Sequence, residues 1–221
     1  MLGCSPALRQ DYSAAGTTEP ANALTLAMNR ALVFLATTLL ATTAAAQSGA
    51  PASEPYVGQP GKDVIWVPTP PTLVDKMLDM AAVTAKDFVI DLGSGDGRNV
   101  IAAAKRGARA LGVEYDQNLV QVSRRAAAVE GVADRAKFMQ GDMFEADISK
   151  ATVLALFLLP DNLERLKPKF ERLRPGTRIV TNGYQIAGWN AKEVGVAGGD
   201  CAPWCTAYLY IVPAMPANRQ D

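Results

Sequence analysis

The chain has 221 residues, 49% of them hydrophobic, with 22 basic against 22 acidic side chains and no histidine. That is enough for one core-forming domain plus a tail. The charge balance offers no basic field for a nucleic-acid backbone. The missing imidazole excludes Ser-His-Asp and Cys-His catalysis and every histidine-ligated metal site.

Residues 1–27 show no periodicity and few charges. At Met28-Asn29-Arg30 the pattern changes. An uncharged apolar run from Ala31 to Leu40 follows, then small residues ending Ala44-Ala45-Ala46 before Gln47. A short basic start, an apolar core and an A-x-A end describe a secretory signal peptide. The run is too short to span a bilayer, which takes about 20 residues. The expectation is therefore translation from Met28, a misassigned extension over 1–27 and a cleaved signal over 28–46. That places the mature protein in the periplasm or outside the cell; without cleavage it is cytoplasmic. Residues 47–62, rich in Gly, Pro, Ser and Ala, predict a linker or extended arm.

From Asp63 onward strand and helix patterns alternate. Thr72 is placed to cap a helix over Leu73 to Ala82, with Leu73, Met77, Leu78 and Met80 as its apolar contacts. Phe88 to Leu92 is a short buried strand, Gly93 to Gly97 a glycine turn, and Asn99 to Arg106 a helix stopped at Gly107. Ala110 to Glu114 is a second strand, Gln117 to Glu130 a helix, and Ala136 to Gln140 a third strand. Thr152 to Leu158, apolar after its first residue, predicts a strand covered on both faces. A helix from Leu163 to Leu173 is interrupted or kinked by Pro168. Thr177 to Asn182 is a fifth strand, and Thr206 to Val212 a last one, hairpin-paired through Gly198-Gly199. Such alternation implies an α/β domain whose mostly parallel sheet ends in an antiparallel hairpin, with its ligand at the carboxyl ends of the strands. The domain spans 63–215 and leaves a tail over 216–221. The cysteines are Cys4, Cys201 and Cys205, with no CxxC pair. Cys201 and Cys205 are either unpaired or close a loop by a disulfide in an oxidising compartment.

The most specific text is Asp91-Leu92-Gly93-Ser94-Gly95-Asp96-Gly97, between an apolar strand and a helix. The glycines permit a tight turn and close approach of a ligand, and the helix start offers free N–H groups. A dinucleotide fingerprint reads G-x-G-x-x-G. Here the spacing is G-x-G-x-G with an acid two residues ahead, which repels a pyrophosphate but suits a cationic amino-acid end. This text resembles motif I of class I, seven-strand, Rossmann-like methyltransferases. The resemblance implies S-adenosyl-L-methionine as cofactor, held by Asp91, Gly93, Ser94, Gly95 and Gly97. It also implies that Glu114, at the end of the second strand and beside Tyr115, accepts both ribose hydroxyls. Asp142 is then the acceptor for the adenine amino group, with Met143 and Phe144 flanking the ring. No metal is implied.

A finer likeness extends from about Val67 to Val212. Val67-Pro68-Thr69-Pro70, Leu158-Leu159-Pro160, Lys167-Pro168-Lys169 and Arg174-Pro175-Gly176-Thr177-Arg178 resemble a group of protein-lysine methyltransferases related to the enzyme acting on the mitochondrial ATP-synthase c-subunit. Relatives often carry an Asn a few residues after the Leu-Pro; here Asn162 is displaced by one. By resemblance, Asp161, Asn162 and Tyr184 stand where acceptor meets methyl group. Phe157, Tyr184 and Trp189 either line the pocket and hold a methylammonium face-on or belong to ordinary core and hairpin packing. The implied activity is methyl transfer to a protein lysine amine. The alternatives are a small-molecule acceptor, or an exported protein that binds the cofactor without turnover. Leu158-Leu159-Pro160 lacks the Asn-Pro-Pro-Tyr text of base-modifying enzymes, which together with neutral charge argues against nucleic acid.

Overall fold

The computed structural model describes residues 53–63 and 65–214. The expected extension over 1–27, signal peptide over 28–46 and tail over 216–221 lie outside the described residues.

Among the described residues, four helices and seven strands follow in chain order: α1 (Pro71–Met80), β1 (Phe88–Leu92), α2 (Arg98–Lys105), β2 (Arg109–Glu114), α3 (Gln117–Val129), β3 (Ala136–Gln140), β4 (Val153–Leu156), α4 (Pro160–Phe170), β5 (Arg178–Asn182), β6 (Glu193–Val196) and β7 (Thr206–Ile211). They build one seven-stranded sheet in the order β3-β2-β1-β4-β5-β7-β6. The β1–β2, β2–β3, β1–β4 and β4–β5 pairs are parallel, while β7 runs antiparallel to both β5 and β6. This is the Rossmann-like methyltransferase architecture expected from the sequence, closed by its antiparallel hairpin.

Strand alternation explains why both faces need cover. Val89, Val153 and Ala155 join the cluster under α1, α2 and α3. Their neighbours Ile90, Leu154 and Leu156 join the opposite cluster with Leu163, Leu166 and Phe170 of α4. All four β4 residues are buried, each contributing about 1–3 kcal/mol of hydrophobic burial according to size.

Most element ends fall within one or two residues of expectation, and the helix starts differ for a local reason. Helix α1 starts at Pro71, with Pro70 at its N-cap and no side-chain cap, so Thr72 is inside the helix. Proline at the first helical position already has a suitable φ and no N–H to lose. The same rule starts α4 at Pro160 rather than Leu163. That helix then runs through Pro168 to Phe170, whose ring is fully buried and holds the last turn against the sheet. Strand β6 supplies the partner of β7 that the hairpin expectation left without a range.

The chain winds outward from β1 through β2 to β3, then returns to β4 on the other flank of β1. A crevice opens where the winding reverses, beyond the carboxyl ends of β1, β2 and β4.

Candidate active site

The turn after β1 forms the floor of this crevice. Gly93, Gly95 and Gly97 all have positive φ, at 69°, 56° and 84°. A β-carbon on Gly95 would collide with the Trp66 indole. On Gly97, which caps α2, it would lie 2.6 Å from Phe138. Gly95 therefore admits a ring from above, and Gly97 admits a packed ring from the sheet side.

Glu114 is the last residue of β2 and is buried. Its Oε2 accepts from the Gly95 amide at 2.8 Å, and its Oε1 from the Asp116 amide at 2.9 Å. Two main-chain donors thus fix the carboxylate at the lip of the turn. Each oxygen keeps lone-pair capacity for a further donor, such as a diol hydroxyl. Asp116 itself caps α3 by accepting from Asn118 N at 2.7 Å.

Asp91 lies deeper, at the end of β1, and accepts from Asn99 Nδ2 at 3.1 Å. Burial pushes its carboxyl well above the ordinary value of 3.8, and the nearby acids Glu114 and Asp96 push the same way; the Asn99 bond opposes them. Next to it Ser94 Oγ is buried without a partner among the described residues. An acid cluster with unspent acceptors, against a glycine turn, fits a cationic amino-acid end better than any anion.

At the other rim, Asp142 accepts from Phe144 N at 2.9 Å and from Lys62 Nζ at 3.0 Å. The Phe144 amide and the Lys62 ammonium hold its carboxyl below the ordinary value. Lys62 also reaches Asp63 and lies 5.3 Å from the Tyr115 ring centre and 5.8 Å from that of Phe144.

Gly93, Val113, Glu114, Tyr115, Asp142 and Met143 line one cleft of about 330 Å³. Phe157, Leu158, Leu159, Tyr184 and Trp204 line it as well. Of the expected site residues, Asp91, Ser94, Gly95 and Gly97 sit beneath or behind the lining rather than on it. Asp161 and Asn162 do not line the cleft either. Because α4 begins at Pro160, both fall in its first turn, with Asp161 exposed and Asn162 buried. Trp189 packs edge-on against Tyr210, 6.2 Å between ring centres, and is also off the cleft. Its expected place is taken by Trp204.

Residues missed from sequence come chiefly from the arm. Gln59 to Lys62, inside the expected linker, stand against the cleft together with Asp63, Ile65, Trp66 and Val67. Gly58 N donates to Trp66 O and Trp66 N to Gln59 O, each at 2.9 Å, folding the arm into a narrow turn. The signal available was Trp66 just ahead of Val67-Pro68-Thr69-Pro70. For Trp204 it was a lone indole between two cysteines.

Residues 91–193 match the family model of the ANTKMT methyltransferase domain. A protein-lysine N-methyltransferase from Saccharolobus islandicus is 44% identical over 152 residues, covering 67% of this chain and 94% of that protein. The chain belongs to this family of S-adenosylmethionine-dependent methyltransferases. The human lysine N-methyltransferase of the ATP-synthase c-subunit is 37% identical over 113 residues, 51% of this chain; the chain spans about half (48%) of that relative's length. Among solved structures, an RNA methyltransferase from Salinibacter ruber in complex with S-adenosyl-L-homocysteine superposes with a TM-score of 0.63 at 43% identity, covering 70% of this chain and 99% of the other. For a methyltransferase of this fold, the glycine turn, Glu114 and Asp142 fall at the ends of three neighbouring strands, β1, β2 and β3.

Proposed function

We propose that this methyltransferase acts on the side-chain amine of a protein lysine. The supporting observation is the apolar and aromatic part of the cleft lining, Phe157, Leu158, Leu159, Tyr184 and Trp204. An amine must be neutral to act as a nucleophile, and a poorly hydrated apolar wall favours the neutral form. Bound S-adenosylmethionine supplies an activated methyl group. The chain's own part is to align and to exclude water: Glu114 and Asp142 fix the two ends of the nucleoside, and the aromatic end receives the acceptor. The 94% coverage of the Saccharolobus protein supports the same reading.

A second reading rests on the Salinibacter relative, which bears the name of an RNA methyltransferase. The balanced charge of this chain counts against it, because a phosphate backbone is held mainly by excess cations. Labelled S-adenosylmethionine incubated with protein and cell extract separates the two. Label that resists nuclease, is lost on proteolysis and maps to lysine by mass spectrometry is expected. Label released by nuclease overturns the lysine reading.

Export is also proposed. The segment over 28–46 motivates it, and the Cys201–Cys205 disulfide supports it, since such bonds persist in oxidising compartments. Intact mass of the native protein should begin at Gln47; a mass retaining residues 1–27 overturns the proposal.

A further inference from the structure

The connection from β6 to β7 is a nine-residue stretch, 197–205, with the Cys201–Cys205 bond across its second half. The two Cα atoms are 5.0 Å apart, and the ring so closed holds only Ala202, Pro203 and Trp204. Its base is tied twice to the sheet: Ala197 N donates to Cys205 O and Gly183 N to Thr206 O, each at 2.8 Å. Cys201 is buried in the cluster under α1, and Cys205 packs against it. The disulfide thus anchors one side of the loop in the core, while the other side presents an indole.

That indole has a defined seat. A β-carbon on Gly183 would lie 3.0 Å from Trp204 Cε3, so the ring rests on bare backbone at the end of β5. Phe157 meets it edge-on with 5.3 Å between centres, and Tyr184 lies tilted at 5.5 Å. The three rings come from the ends of the adjacent strands β4, β5 and β7, and all line the cleft.

We propose that Trp204 is the acceptor-selecting residue, that its ring face recognises a methylated lysine in the protonated form in which it arrives, before the amine yields its proton to water and attacks, and that the Cys201–Cys205 bond is what positions it. The proposal rests on the amine-acceptor reading and goes beyond it. Indole is the strongest aromatic partner for a cation, and partners Phe157 and Tyr184 add two more electron-rich walls. Such a box binds well only when its rings are already in place, because each loose ring must be ordered at every binding event. The disulfide sets the ring in advance. Reduction by a dithiol breaks the S–S bond, turns both sulfurs into thiols and leaves the dithiol as its own disulfide. The loop then keeps its hydrogen-bonded base but loses the tie nearest the indole. Acceptor binding becomes redox-dependent, whereas cofactor binding does not.

The three tryptophans make the test site-specific. Trp66 reports on the cofactor turn, Trp204 on the aromatic box, and Trp189 on neither. Full-length protein with ¹⁵N-labelled indoles, saturated with S-adenosylhomocysteine, is titrated with tetramethylammonium and, separately, with tert-butanol as its neutral isostere. The Trp204 signal should move saturably with the cation and far less with the alcohol, while Trp189 stays still. After dithiothreitol, and in the doubly substituted C201S/C205S protein, the Trp204 response should weaken by about fivefold or more, with Trp66 still shifting on S-adenosylhomocysteine. Melting curves establish that these samples remain folded. W204F should retain part of the cation binding and W204A none. Equal responses to both probes, or unchanged affinity after reduction, overturn the proposal. If lysine is methylated but Trp204 ignores the cation, this inference falls alone. If Trp204 takes the cation but label never reaches an amine, the amine-acceptor reading falls and the box stands.

Discussion

The two ends of β1 carry an aspartate each, and they are treated in opposite ways. Asp87, just before the strand, accepts from the Thr84 amide and hydroxyl, from Thr152 Oγ1 and from Arg178. Arg178 also donates to the carbonyls of Ala81 and Ala82, so one carboxylate ties α1, β1, β4 and β5 together. Asp91, at the other end, has a single side-chain donor and two acids for neighbours. The four buried side-chain polar atoms without partners among the described residues belong to Ser94, Asn99, Asn162 and Asn182. All of them stand at Asp91's end of the sheet. Groups that complete one another hold a fold together; groups left incomplete are available to a ligand.

The largest expected effect falls on the ligand end. Gly95→Arg places a side chain into the volume of Trp66 and into a positive-φ position. It should weaken S-adenosylmethionine binding by about 1,000-fold, roughly 4 kcal/mol, by calorimetry, and an unchanged affinity would break the assignment of the turn. Next comes the structural end. Asp87→Ala strands Arg178 and should cost about 3 kcal/mol, read as a lower melting temperature with cofactor affinity intact.

Acid sharpens this second prediction. Burial works against the charge on Asp87, but the Thr84, Thr152 and Arg178 contacts outweigh it and lower its pKa below 3.8. Its contribution is complete above that ordinary value and is lost as pH falls through the lower folded one. Wild type should therefore lose stability on that descent, and the Asp87→Ala protein less.

Glu114→Gln neutralises the carboxylate at the lip of the turn and should weaken cofactor binding by about 30-fold, roughly 2 kcal/mol. Asp142→Ala should have the smallest effect of the four, about fivefold or roughly 1 kcal/mol. A larger loss there than at Glu114 would reverse the ranking of the two rims.

The sheet and the cofactor turn were legible in the sequence because they depend on local text. Apolar runs of five residues, glycine stops and Asp91-Leu92-Gly93-Ser94-Gly95-Asp96-Gly97 carry their own conformational constraints. The acceptor end was only half legible. Phe157 and Tyr184 follow strands whose ends could be counted. Trp204 reaches them only because β7 runs backwards beside β5, a pairing that no local pattern encodes. Trp189 had an equal claim by composition, and packing against Tyr210 decided otherwise. The arm was read as a linker because Gly, Pro and Ser dominate it, yet Lys62 ties it to Asp142 across 80 residues of sequence and the Trp66 ring lies against Gly95. Asp161 and Asn162 were displaced from the cleft by one local detail, the helix beginning at Pro160.

The reversed strand has one more effect. A strand running with its neighbours would deliver its preceding loop to the floor of the sheet, far from the chemistry. Because β7 runs the other way, residues 197–205 emerge on the same rim as the methyl-donor turn, without a crossover helix. Changes in that hairpin can therefore retune what the enzyme accepts while the turn, Glu114 and Asp142 stay as they are. Loop exchange between relatives is the natural route to new acceptors on this scaffold.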